Sequence, residues 1–117
     1  MRILIVDDDR TFCQMLVEVL RGKGHEADWA CHALEGYKMS QRQFYNLLVF
    51  DVRMPFLLGT DLAGGLLQQS PGTKIILISA FADETLRDTA KRLGVPILSK
   101  PFATDSFLDL VETTAVR

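Results

Sequence analysis

Five short apolar runs punctuate the chain at residues 3–6, 27–30, 47–50, 75–78 and 95–98, with longer mixed segments between them. The runs are continuous rather than alternating, the second being the weakest, which is the pattern of strands covered on both faces of a parallel sheet. The segments between them carry a helical period. Phe12, Met15, Leu16, Val19 and Leu20 form one stripe at i, i+3, i+4, i+7 and i+8, with Asp9 placed to cap the helix and Gly22 and Gly24 to stop it. Phe107, Leu110 and Val111 repeat the spacing after a cap at Thr104 or Asp105. Residues 83–93 offer only Leu86, Ala90 and Leu93 as an inner face, a thinly anchored helix. Gly64 and Gly65 weaken a further helix after Gly59, at about 1 kcal/mol each relative to Ala.

Five strand and helix alternations predict an α/β fold. It is a doubly wound (βα)5 arrangement in three layers, with a parallel five-stranded sheet of order 2-1-3-4-5, right-handed crossovers and helices on both faces. Ligands of such sheets sit beyond the carboxyl ends of the strands, where the strand order reverses. The residues following the runs are therefore the ones to inspect: Asp7 and Asp8 after the first, Asp51 after the third, Ser79 after the fourth and Lys100 after the fifth. Neighbouring strands lie about 4.8 Å apart, so three carboxylates would crowd one rim and raise one another's pKa values. A hard divalent cation resolves that conflict. Mg2+, or Mn2+ in its place, takes oxygen ligands and usually one or two carboxylates plus a phosphate oxygen. A carboxylate can itself attack phosphorus to form an acyl phosphate, and the remaining work is positioning and neutralising charge. Asp51, Ser79 and Lys100 then supply nucleophile, hydroxyl donor and cation.

Composition narrows the class without changing it. At 117 residues, 48% hydrophobic and 24% charged, the chain is read as one globular domain, 1–117. A net charge of −2 with no block of Lys or Arg argues against direct nucleic-acid contact by this domain. Cys13 and Cys31 are isolated, as expected of reduced thiols in a cytoplasmic protein. No apolar run approaches the roughly 18 residues of a membrane span, and none resembles an export signal.

Together, VDDD at 6–9, FDVRMP at 50–55, Gly59, ILISA at 76–80 and SKPF at 99–102 make the chain resemble a response-regulator receiver domain of two-component signalling over essentially its full length. The resemblance implies a flavodoxin-like fold and Mg2+-dependent phosphorylation of Asp51 from the phosphohistidine of a sensor histidine kinase or histidine phosphotransfer protein. It also implies that Asp8 and Asp51 bind the metal directly, Asp7 through water, and Arg53 through its backbone carbonyl. By the same resemblance Ser79 and Lys100 contact the phosphoryl group, and the Lys100–Pro101 peptide is cis. Output would pass through the face formed by helix 83–93, strand 95–98 and helix 103–115, which is also a surface for homodimerisation. Enzymatic activity beyond self-phosphorylation and slow autodephosphorylation is not expected. The chain is then either a stand-alone phosphorelay shuttle or a receiver cut from a longer regulator, one that controls transcription if its output domain binds DNA.

Departures from the family pattern carry expectations of their own. Ile97 stands where such domains often place an aromatic switch residue, so it or Phe81 would report the state differently. Leu58 replaces an acid before Gly59, and the apolar run FLLG at 56–59 either invites a partner or packs over the site. Arg53 and Phe81 flank the acceptor, where their bulk would lengthen the acyl phosphate's life. Asp9 is read as a cap only, His25 and His32 as surface residues, and Trp29 as packing a helix onto the sheet. Two alternatives remain: a haloacid dehalogenase-like phosphatase with Asp7 as nucleophile, using the Asp7, Asp9 and Thr11 pattern but lacking room for a cap, and a pseudo-receiver that binds partners without phosphorylation.

Overall fold

The computed structural model describes residues 1–54, 57, 58, 65 and 72–115, with the backbone alone at 53, 54, 57 and 58. The main sheet comprises β1 (Arg2–Val6), β2 (Glu26–Ala30), β3 (Leu47–Asp51), β6 (Lys74–Ser79) and β7 (Ile97–Ser99). All pairings in it are parallel, in the order β2-β1-β3-β6-β7. Counted along this sheet, that is the expected 2-1-3-4-5. Between β3 and β6, β4 (Arg53–Met54) and β5 (Leu57–Leu58) pair antiparallel as a separate ribbon. Four helices are seen among the described residues: α1 (Arg10–Gly22), α2 (Ala33–Arg42), α3 (Glu84–Leu93) and α4 (Thr104–Ala115). Of the helix expected after Gly59, only Gly65 lies within the described residues.

Alternate side chains of each strand feed two cores, one on each face of the sheet. Leu4, Val6, Leu48, Phe50, Ile75 and Leu77 pack with Ala33 of α2 and Ala90 of α3. Ile3, Ile5, Leu47, Val49, Ile76 and Ile78 pack with Leu16 and Leu20 of α1 and with Phe107 and Val111 of α4. The three inner strands are therefore buried almost throughout, whereas β2 and β7 are edges and only partly covered. The last strand begins two residues later than its apolar run. Pro96 has no N–H to give a ladder, and instead its carbonyl accepts from Leu77 N at 2.9 Å.

Local chemistry sets the helix ends. Asp9 caps α1 by accepting from Phe12 N at 3.1 Å, and Asp83 caps α3 by accepting from Leu86 N at 2.8 Å. α3 ends on Gly94 in the left-handed region at φ 73°, where a Cβ would be strained. Gly36 in α2 serves a close approach: a Cβ there would stand 2.7 Å from Cγ2 of Val6. Leu86, Ala90 and Leu93 do form the inner face of α3. Trp29 joins the core under α1 and α4, with the Arg10 guanidinium 6.0 Å from its ring centre.

Candidate functional site

β1, β3, β6 and β7 end at one rim because their registers align there, Asp51 lying opposite Ile78 and Ser79 opposite Ser99. The burial of β1 and β3 makes this a rigid edge. Asp7 follows β1 and is fully buried, Asp51 ends β3 and is nearly so, and Asp8 is exposed. Carboxylate oxygens of the three lie within 4.8 Å of one another. Lys100 reaches into this group from beyond β7. Its Nζ donates to Asp7 Oδ2 at 2.7 Å and to Asp51 Oδ2 at 2.9 Å. The second Asp7 oxygen accepts from Asp9 N at 2.9 Å.

Ser79 is fully buried at the end of β6. Its hydroxyl oxygen accepts from Phe81 N at 3.0 Å, and its carbonyl accepts from Lys100 N at 2.7 Å. The second bond ties the serine and the lysine backbone together across the strand ends. The Lys100–Pro101 peptide that follows is cis. Phe81 is exposed just beyond the serine. Ile97, opposite Leu77, is partly buried and packs on the α2 and α3 side of the sheet. Arg53 lies in β4, but its side chain, Gly59 and Phe56 fall outside what the structure describes.

Electrostatics follow from this enclosure. Burial pushes the Asp7 carboxyl up to about 6, with the Asp51 charge adding to the rise, while the hydrogen bonds from Lys100 and Asp9 N oppose it. For Lys100, burial works against the charged form, but its bonds to Asp7 and Asp51 prevail and raise its pKa. Cys13 donates its S–H toward the Asp7 carbonyl at 3.3 Å. Burial, reinforced by the Asp7 charge, pushes that thiol up to about 12 and leaves it unreactive.

The donor set suits a hard cation. All three groups are carboxylates, and opposite ligands of a Mg2+ octahedron with bonds of about 2.1 Å stand about 4.2 Å apart, close to the spread of these oxygens. The only other metal-type cluster among the described residues, Cys31, His32 and Glu35, has a different explanation. His32 caps α2, its Nδ1 accepting from Glu35 N at 3.3 Å and its Nε2 lying 3.2 Å from Glu35 Oε2. Both ring nitrogens thus serve the first turn of the helix.

A family model described as "Response regulator receiver domain" matches residues 3–112. The chain belongs to that family. Among its relatives, the receiver domain is 34% identical over 110 residues to a response regulator receiver protein of Anaeromyxobacter sp. (strain Fw109-5), covering 93% of this chain and 46% of that one. It is 31% identical over 118 residues to the transcriptional regulatory protein CusR of Escherichia coli (strain K12), covering 100% and 52%. It spans about half the length of these two relatives. Among solved structures, a CheY-like receiver domain protein of Methanospirillum hungatei JF-1 superposes with a TM-score of 0.93 at 28% identity, covering 98% of this chain and 93% of that one. Receiver domains of two-component systems work with histidine kinases or phosphotransfer proteins and generally bind Mg2+ in an acidic pocket; this receiver domain has the aspartate cluster for it. No described helix is long and apolar enough to cross a membrane.

One residue of the site was not singled out by sequence reasoning. Phe12, read as the start of a core stripe, places its ring centre 4.4 Å from Lys100 Nζ. The available signal was its position, nearest the strand ends among the stripe residues.

Proposed function

We propose that this receiver domain takes a phosphoryl group from phosphohistidine onto Asp51 and that the resulting acyl phosphate controls an output domain or partner. A carboxylate oxygen of Asp51 attacks phosphorus, the P–N bond breaks, and the departing imidazole leaves with the electron pair and picks up a proton. Lys100 offsets negative charge on the transferred group, and the Ser79 hydroxyl donates to one of its oxygens. Asp8 and Asp51 would hold Mg2+ directly and Asp7 chiefly through water, the ion supplying charge neutralisation when bound.

The observation that carries this reading is the Lys100 ammonium lying 2.9 Å from Asp51 within a cluster of three aspartates at the strand ends. The phosphatase alternative fits poorly: Asp7 is fully buried and both its oxygens accept hydrogen bonds, so it is not presented to a substrate. In the proposed switch the output face is that of α3, β7 and α4. Ile97 lies at the seam between β7 and α3, where a change at Ser79 would reach it.

The test is incubation with Mg2+ and acetyl phosphate, followed by intact mass measurement. A labile phosphoryl adduct is expected on the wild type and not on Asp51→Asn. An unmodified wild type would overturn the proposal and favour a module that binds partners without phosphorylation.

A further inference from the structure

An ammonium group has three N–H donors, and in a site this enclosed each direction needs a partner. Two of those of Lys100 are spoken for by Asp7 and Asp51 at 2.7 and 2.9 Å. The side chain is only 20% exposed, so solvent reaches it from a narrow angle. The Phe12 ring lies against the same nitrogen at 4.4 Å, within the roughly 6 Å over which a ring face attracts a cation. Phe12 is itself held: its ring meets Phe102 edge-on, with centroids 5.8 Å apart and planes at 76°, and Phe102 stacks on fully buried Phe107 at 5.6 Å. Three aromatic rings from α1, the segment after Lys100, and α4 therefore form a series, of which the first, Phe12, faces the ammonium.

We propose that Phe12 is a positioning residue for phosphoryl transfer: its ring face is the third partner of the Lys100 ammonium and holds it against the Asp7 and Asp51 carboxylates. The choice of a ring rather than a third carboxylate matters for the reaction. A ring face attracts a cation over a broad, shallow region and does not bind it to one atom. The ammonium can then move from the Asp51 oxygen to an oxygen of the incoming phosphoryl group without losing its seat. A ring also adds no negative charge to a site that already holds three acids. This inference rests on Asp51 being the phosphoacceptor, and it adds a residue to that chemistry.

A test must separate the electrostatic seat from simple packing. Replacing Phe12 by mono-, di- and trifluorinated phenylalanines keeps the ring's shape nearly constant while draining charge from its face in steps. The rate of Asp51 phosphorylation by acetyl phosphate at saturating Mg2+ should fall stepwise along the series, roughly fivefold to tenfold in total, with the thermal midpoint unchanged. The same substitutions at Phe102, whose ring meets Phe12 rather than the ammonium, should leave the rate alone. Phe12→Trp should retain the rate that Phe12→Leu loses. A second readout needs no phosphodonor: in the Mg2+-free protein, the ring current should move the Lys100 ε-methylene protons upfield, and Phe12→Leu should abolish that shift. A rate that does not follow fluorination, or ε-methylene protons at their unstructured position in the wild type, would overturn the proposal. A wild type that takes up no phosphoryl group would remove the acceptor role of Asp51, while the methylene shift would still decide whether the ring seats the lysine.

Discussion

Substituting Gly36 by Ala sets two well-understood effects against each other. In a helix interior the exchange alone should stabilise by about 1 kcal/mol, since Ala orders at a smaller entropic loss than Gly. At this position the new methyl would meet Val6 at three atoms, Cγ2 at 2.7 Å, Cγ1 at 3.0 Å and Cβ at 3.4 Å. Because both Val6 methyls are involved and the side chain is fully buried, turning χ1 replaces one clash by another, and a β-branched residue has few rotamers to spare. α2 must therefore back away from β1, and overpacking of this kind costs about 1–3 kcal/mol. The contact should win, leaving a net loss of about 1 kcal/mol and a thermal midpoint lower by about 4 °C for a domain of this size. Gly22→Ala is the control, since a methyl added there would have nothing within 4 Å, and it should not destabilise. The decisive assay is a urea double-mutant cycle with Val6→Ala, which opens space under the new methyl. The pair should be better tolerated than the sum of the singles by about 1 kcal/mol or more. Additive singles, or a Gly36→Ala protein stabilised by its helix propensity, would refute the reasoning. Since Val6 directly precedes Asp7, the same substitution should also slow phosphorylation of Asp51.

Two further outcomes follow from the backbone and from burial. Gly94→Ala forces a side chain into the left-handed region at φ 73° and should destabilise by about 1–2 kcal/mol, read as a lower urea midpoint with an unchanged slope. Burial holds the Asp7 carboxyl at about 6, above its unfolded value of about 3.9. Its contribution to stability is therefore full below about pH 4 and is lost as pH rises through about 6. Urea midpoints measured without Mg2+ between about pH 4.5 and 7.5 should show this decline in the wild type and a weaker one in Asp7→Asn, which should be the more stable protein at the upper end of that range. Parallel pH profiles for the two proteins would contradict that account.

The inner strands were legible because burial on both faces leaves little but apolar residues in the sequence, as at Ile3–Val6 and Leu47–Phe50. The acids, serine and lysine at their ends were legible because a strand end is the first place such a chain can turn polar. The start of β7 was less so: Val95 is apolar and buried, but Pro96 cannot join the ladder. Asp7 and Asp8 look alike in sequence, and only the packing beneath α1 separates a fully buried carboxylate from an exposed one. The cap made by His32 needed the β2 to α2 geometry to be seen. The seat of Lys100 on Phe12 was hidden because it depends on how α1 is rotated over the sheet and on the path of the chain after Ser99, neither of which a helical stripe encodes.

Lys100 and Asp7 are 93 residues apart in the chain. The bond between them also joins a residue beyond the edge strand to the end of an inner one, so it cannot form until β7 has been added to the sheet. A growing polypeptide that has produced Asp7, Asp8 and Asp51 thus holds the acids of the site without the lysine that completes it. On the proposed function, competence for phosphoryl transfer would arrive late in synthesis, after nearly the whole domain has left the ribosome, and a half-made receiver domain would lack the arrangement needed to draw phosphoryl groups away from finished copies.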